Sequence, residues 1–217
     1  MELIDILYIL PAVVIAITFH EYAHAKVAIK LGDDTPKLQG RDTINPLTHI
    51  DIFGLICLML AHFGWGRPVQ IDPRNFKKPL KGQMLVSLAG PVMNLIIAFV
   101  SLIIHYVLLI SGALTVFSAN TAEAIIGVVD GIVLINISLC IFNLLPLPNF
   151  DGSKILLYFL PNKWKFKFLG LEKYSFLILL LIILTPIPEY IITPILMSVL
   201  NGMQYLIELV LALFGII

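Results

Sequence analysis

The stretch Thr18-Phe19-His20-Glu21-Tyr22-Ala23-His24-Ala25-Lys26 lies in an apolar run from about Leu3 to Ile29, so three clustered ionisable side chains interrupt a segment suited to hydrocarbon. Each such group costs about 2.5 to 3.5 kcal/mol at the centre of a membrane helix, and a cluster of them needs a compensating reason. On an α-helix, residues four apart share a face about one turn apart, so the imidazoles of His20 and His24 can converge on one metal ion. Glu21 projects about 100° from His20, close to such an ion without being forced into its ligand shell. From there it can take a proton from an attacking water and later deliver one to a leaving amine. The bland alternative is a polar notch used for helix packing.

The composition around this stretch sets its context. With 59% hydrophobic and 13% charged residues among 217, and a mean hydropathy of +0.98, the chain is too apolar for a soluble domain of its length. It reads as an all-α polytopic membrane protein. The start, Met1-Glu2-Leu3-Ile4-Asp5, is acidic where a signal peptide would be basic, so the first apolar segment is expected to stay as a spanning helix. All 14 basic residues fall between Lys26 and Arg41, Arg67 and Lys81, or Lys154 and Lys173. The positive-inside rule makes those regions cytoplasmic and puts the N-terminus, Ser111 to Ala122 and Pro186 to Pro194 outside.

Hydropathy places spans near 4–29, 84–110, 122–146, 174–187 and 193–217, within an expected total of about five to six transmembrane helices. The apolar segment Ile52 to Phe63 lies between two cytoplasmic clusters and is too short to cross. A re-entrant segment near 46–64 is therefore expected, with room for short β-strands, lining the cavity of the site. Cys57 and Cys140 lie in apolar surroundings without a CxxC pattern and read as packing thiols. The whole of 1–217 reads as one membrane-embedded domain, with a core at about 1–160 and accessory helices at about 174–217.

A catalytic zinc usually has three protein ligands, so His20 and His24 need a third from elsewhere. Candidates near the cytoplasmic side are His49, Asp51, His62, Asp130 and Asp151. Asp151 is the most suggestive, because in Asn143-Leu144-Leu145-Pro146-Leu147-Pro148-Asn149-Phe150-Asp151-Gly152 two prolines break an apolar helix. The freed backbone groups would make a polar pocket, and Gly152 would let the chain turn beside a ligand. The same string also reads as a plain helix end and turn. His62 and His105 read as interface or packing residues.

Three motifs in order resemble the site-2 proteases, the family of intramembrane zinc metalloproteases. They are Phe19-His20-Glu21-Tyr22-Ala23-His24, Ala89-Gly90-Pro91-Val92-Met93-Asn94, and Asn143 through Gly152. Asn45-Pro46-Leu47-Thr48-His49-Ile50-Asp51 and Gly64-Trp65-Gly66-Arg67-Pro68-Val69 resemble the family's compact bacterial members. Asn149-Phe150 departs from the family's usual pair before Asp-Gly. The resemblance implies that His20, His24 and Asp151 hold one Zn2+ per chain, that Glu21 is the general base, and that Asn143 helps to bind the substrate or its oxyanion. It places Asn94 on the helix packed against the site, where interhelical hydrogen bonding is the favoured role.

The activity so implied is hydrolysis of peptide bonds within or near transmembrane segments of membrane proteins, as in regulated intramembrane proteolysis. Its partners would be a transmembrane protein or peptide and the lipid bilayer, with no nucleic acid; oligomeric state is left open. The setting is the cell membrane, multi-pass, with the site nearer the cytoplasmic face. The alternative is a non-catalytic membrane metal-binding or transport protein, which would have no use for Glu21. A haem bundle fails on geometry, because two His on one helix face cannot ligate opposite sides of a haem.

Overall fold

The structure is a computed structural model that describes residues 3–61, 64–186 and 188–216. Helix α1 (Leu3–Lys30) runs into a short turn of helix, α2 (Thr35–Leu38), and then to α3 (Ile52–Ala61). The long helices α4 (Pro79–Ile110) and α5 (Ala119–Leu144) follow, then α6 (Asp151–Phe159), α7 (Asn162–Leu169), α8 (Ser175–Leu184) and α9 (Thr193–Leu213). A π-helical turn at Pro188–Ile192 leads into α9.

Helices α1, α4 and α5 pack against one another, α6 closes on α4, and α9 lies against α4 and α5. Small side chains allow this. The inner face of α4 repeats every four residues as Gly82, Val86, Gly90, Asn94, Ala98 and Leu102, all buried. Ala12, Ala16, Ala25 and Ala28 of α1 are fully buried as well. Close backbone approach through small residues is how helices associate where no hydrophobic drive exists between them. Meanwhile Leu88, Val92, Ile96, Val100, Ile103 and Val107 of α4 face outward and are exposed. Polar residues such as Thr18, Ser87, Asn94, Ser101 and Asn136 are buried. Large apolar groups outside and small or polar groups inside is a pattern that water would penalise and lipid tails favour.

Four stretches are long and apolar enough to cross a membrane: Ile9–Lys30, Pro79–Ile110, Ala119–Leu144 and Pro188–Leu213. Three match expected spans, and the fourth begins a few residues earlier than 193. The expected crossing at 174–187 is different: α8 has ten residues, about 15 Å of rise, half of a bilayer core. It starts after a 3-10 turn at Glu172–Tyr174 and stops before Pro186, so part of the apolar run is not helical.

The segment expected to be re-entrant holds α3, also ten residues and too short to cross. Its two ends meet. Ile50 and Gly66 form an isolated antiparallel bridge, and the Arg67 amide donates to the His49 carbonyl at 2.7 Å. Among the described residues no β-strand develops from it. Asp51 accepts from the Gly54 amide at 2.9 Å and turns the chain into α3, while Pro68 has no N–H with which to extend a ladder. A Cβ on Gly54 would collide with the Trp65 backbone, so glycine is what lets the returning arm close.

Candidate metal centre

Helix periodicity stacks His20 and His24 on the α1 face that meets α4 and α5. Both are buried, at 5% and 6% exposure. The His20 Nδ1–H donates to Asn94 Oδ1 at 2.6 Å, and the His24 Nδ1–H donates to the Val86 carbonyl at 2.7 Å. The Val86 carbonyl can only accept. Asn94 presents its oxygen because its Nδ2 donates to the Ala16 carbonyl at 3.1 Å and to Asn136 Oδ1 at 2.8 Å. With both Nδ1 protons committed, each neutral imidazole has a bare Nε2. The two Nε2 atoms lie 3.0 Å apart.

Asp151 completes the group from more than 120 residues further along the chain. It opens α6, where a carboxylate is favoured by the helix dipole. Its Oδ2 lies 3.2 Å from His20 Nε2 and 3.1 Å from His24 Nε2, yet receives no hydrogen bond. Three lone-pair donors this close repel one another unless a cation lies among them. A proton bridges two of the three; a metal ion takes all three, and two imidazoles with a carboxylate form a known catalytic zinc donor set. Among the described residues this is the one group of three or more His, Cys, Asp or Glu whose donor atoms lie within 4.8 Å of one another.

The walls are close. A Cβ on Gly90 would lie 2.5 Å from His20 Cε1 and from His24 Nε2, so the glycine of Ala89-Gly90-Pro91 makes room for the donors. Gly152 was expected to supply a turn, but it lies inside α6, and a Cβ there would collide with the Leu144 and Leu145 carbonyls. The left-handed turn falls at Asn149, with φ 71°, a conformation asparagine tolerates better than other side chains. That accounts for the unusual residue before Phe150-Asp151.

Glu21 is half-buried, and its Oε2 accepts from the Val69 amide at 2.8 Å. The arm returning from α3 thus reaches the side chain that follows His20. Asn143 turns its Nδ2 back to the Leu139 carbonyl of its own helix at 3.0 Å. It lines a cavity of about 220 Å³ together with Ile17, Leu55, Trp65, Leu139 and Phe150. The remaining candidate ligands lie elsewhere. His49 is fully buried and donates from Nε2 to the Thr43 carbonyl at 2.7 Å, and Asp51 caps α3. Asp130 pairs with His105 at 2.7 Å between α5 and α4. His62 lies outside the described residues. Cys140 is buried, Cys57 partly so, and both are free thiols. Asn136 carries no motif, yet a mid-helix amide in an apolar run needs partners, and that alone could have singled it out.

The profile of peptidase family M50 matches residues 107–185. The Bacillus subtilis protein named "Putative zinc metalloprotease YwhC" is 38% identical over 214 residues, which cover 95% of this chain and 92% of that one. The chain belongs to peptidase family M50, the site-2 protease family. Further relatives are the proteins named "Putative zinc metalloprotease Rip2" of Mycolicibacterium smegmatis and Mycobacterium tuberculosis (strain H37Rv), 29% and 26% identical over 79% of this chain. The chain spans 64% of the length of each. No solved structure matches it significantly.

Proposed function

We propose that this chain is an intramembrane zinc metalloprotease that cleaves peptide bonds within or near transmembrane segments of other membrane proteins. The observation that carries the reading is the convergence of His20 Nε2, His24 Nε2 and an unbonded Asp151 carboxylate oxygen between helices apolar enough to cross a bilayer. These three residues hold one zinc ion. Bound there, zinc polarises the scissile carbonyl and lowers the pKa of the attacking water.

The chain's own residues do the rest. Glu21 accepts the water's proton at its carboxylate and passes it to the leaving nitrogen, held in place meanwhile by the Val69 amide. The substrate binds extended, since the carbonyls of an intact helix are hydrogen-bonded and enclosed. One of its apolar side chains enters the cavity between α1, the α3 segment and α5. Asn143, on the cavity wall, releases its helical carbonyl and donates to the substrate. The α3 segment dips into the membrane from the cytoplasmic side. The N-terminus lies outside, and the basic regions around Lys26–Arg41, Arg67–Lys81 and Lys154–Lys173 lie in the cytoplasm.

The test is cleavage of a transmembrane peptide by the purified chain in liposomes. Glu21→Gln is expected to keep its zinc and lose about 100-fold or more in kcat, the usual contribution of a positioned base. A Glu21→Gln protein as active as the parent would leave the chain as a metal-binding membrane protein without peptidase chemistry.

A further inference from the structure

The two histidines hold their protons in different ways. His24 Nδ1–H faces a backbone carbonyl, Val86, which cannot reverse. His20 Nδ1–H faces a side-chain amide, Asn94, which can rotate and offer its NH2 instead. In that reversed state His20 would carry its proton on Nε2, and the nitrogen turned toward Asp151 and His24 could no longer bind a metal. Something must hold Asn94.

Asn136 does so from a third helix. Its Nδ2 donates to the Ile132 carbonyl of α5 at 2.8 Å, which leaves Oδ1 toward α4. Asn94 Nδ2 donates to that oxygen at 2.8 Å. Both amides are fully buried, so neither can exchange these partners for water. Reversing Asn94 would set oxygen against oxygen at both Asn136 and the Ala16 carbonyl.

We propose that Asn136 is a positioning residue for the metal centre: through Asn94 it holds His20 in the tautomer with Nδ1 protonated and Nε2 bare. The proposal rests on the reading of His20 as a ligand. Asn136 touches no donor atom of the group, and its effect is transmitted by the direction of two amides.

The experiment uses the full chain in detergent, with zinc affinity measured by competition with a chelator and the His20 tautomer of the metal-free protein read by 15N NMR. Asn136→Ala is expected to weaken zinc binding about 10-fold to 100-fold, the range for losing an outer partner of a ligating histidine. It should also populate the Nε2–H form of His20. Adding Asn94→Asp is expected to recover most of the affinity, because an ionised carboxylate accepts from His20 Nδ1–H and has no donor to present. A purely structural role predicts no such rescue.

Wild-type affinity in Asn136→Ala overturns the proposal, as does a folded Asn136→Ala protein that Asn94→Asp fails to rescue. Should Asn136→Ala not fold, the metal-free wild type decides: Nδ1–H on His20 supports the proposal and Nε2–H overturns it. His20→Ala distinguishes failure of the underlying reading. If it leaves zinc affinity unchanged, the metal centre itself is wrong and the role of Asn136 falls with it.

Discussion

His20 Nε2 and Asp151 Oδ2 stand 3.2 Å apart, joining the first long helix to the short helix that follows α5. His24 Nε2 is equally close to the same oxygen, at 3.1 Å. If these atoms share one zinc ion, Asp151→Ala removes a ligand and Asp151→Asn weakens it by removing charge. Zinc affinity should fall by more than about 100-fold for the alanine variant, beyond the loss expected from an outer partner. Metal analysis of purified protein checks this; zinc content equal to wild type would refute the assignment.

Gly90→Ala should weaken zinc binding to a similar degree, although it removes no ligand. The added methyl would lie 2.5 Å from His24 Nε2 and force one imidazole away. Gly202→Ala is the control, since a Cβ there meets nothing within 4 Å. It should leave zinc binding intact and raise stability by up to about 1 kcal/mol, the helix cost of glycine. Equal zinc contents in the two variants would contradict the packing.

Asp33 fixes the turn after α1 to the arm before α4. Fully buried, it accepts from Thr35 N and Oγ1, the Asp72 amide at 2.8 Å and Asn75 Nδ2 at 2.8 Å. Burial pushes its carboxyl up, but the hydrogen bonds from Thr35, Asn75 and Asp72 outweigh this and hold it below the usual carboxylate range. A group whose folded pKa is depressed stabilises the fold above its unfolded pKa of about 4 and loses that contribution as pH falls through the folded value. Thermal stability should therefore decline below about pH 4. Asp33→Asn should flatten part of that decline and cost about 1 to 3 kcal/mol at neutral pH by facing an amide with donors. Parallel pH profiles of wild type and variant would count against it.

His105 and Asp130 form a pair at 2.7 Å, with the carboxylate side chain 45% exposed on a helix long enough to cross a bilayer. His105→Ala leaves that carboxylate without its partner. Stability should drop by about 0.6 to 2 kcal/mol, as for other polar contacts between membrane helices. Zinc content should not change, because the pair lies apart from His20, His24 and Asp151; coupled loss of zinc would show otherwise.

Some of this was legible along the chain and some was not. The spacing of His20 and His24 needs only the 3.6-residue period of a single helix, and long apolar runs predict α1, α4 and α5 to within a few residues. Apolar length misled at 174–187, because hydropathy counts residues beyond the helix end that Pro186 imposes. The role of Gly152 was misread because close contact with the α5 carbonyls is a property of two elements, while a turn is a property of one.

What the sequence by itself determined is therefore local: apolar length, charge placement, and two imidazoles four residues apart on one face. Periodicity and transfer energy act between near neighbours, so these can be read in order along the chain. Only the tertiary structure decided that Asp151 reaches both histidines, that Gly90 leaves them room, and that Asn94, backed by Asn136, and Val86 face their Nδ1 atoms. Those are relations between α1, α4, α5 and α6. They depend on how the helices rotate and slide against one another, and packing sets that through contacts between residues far apart in sequence.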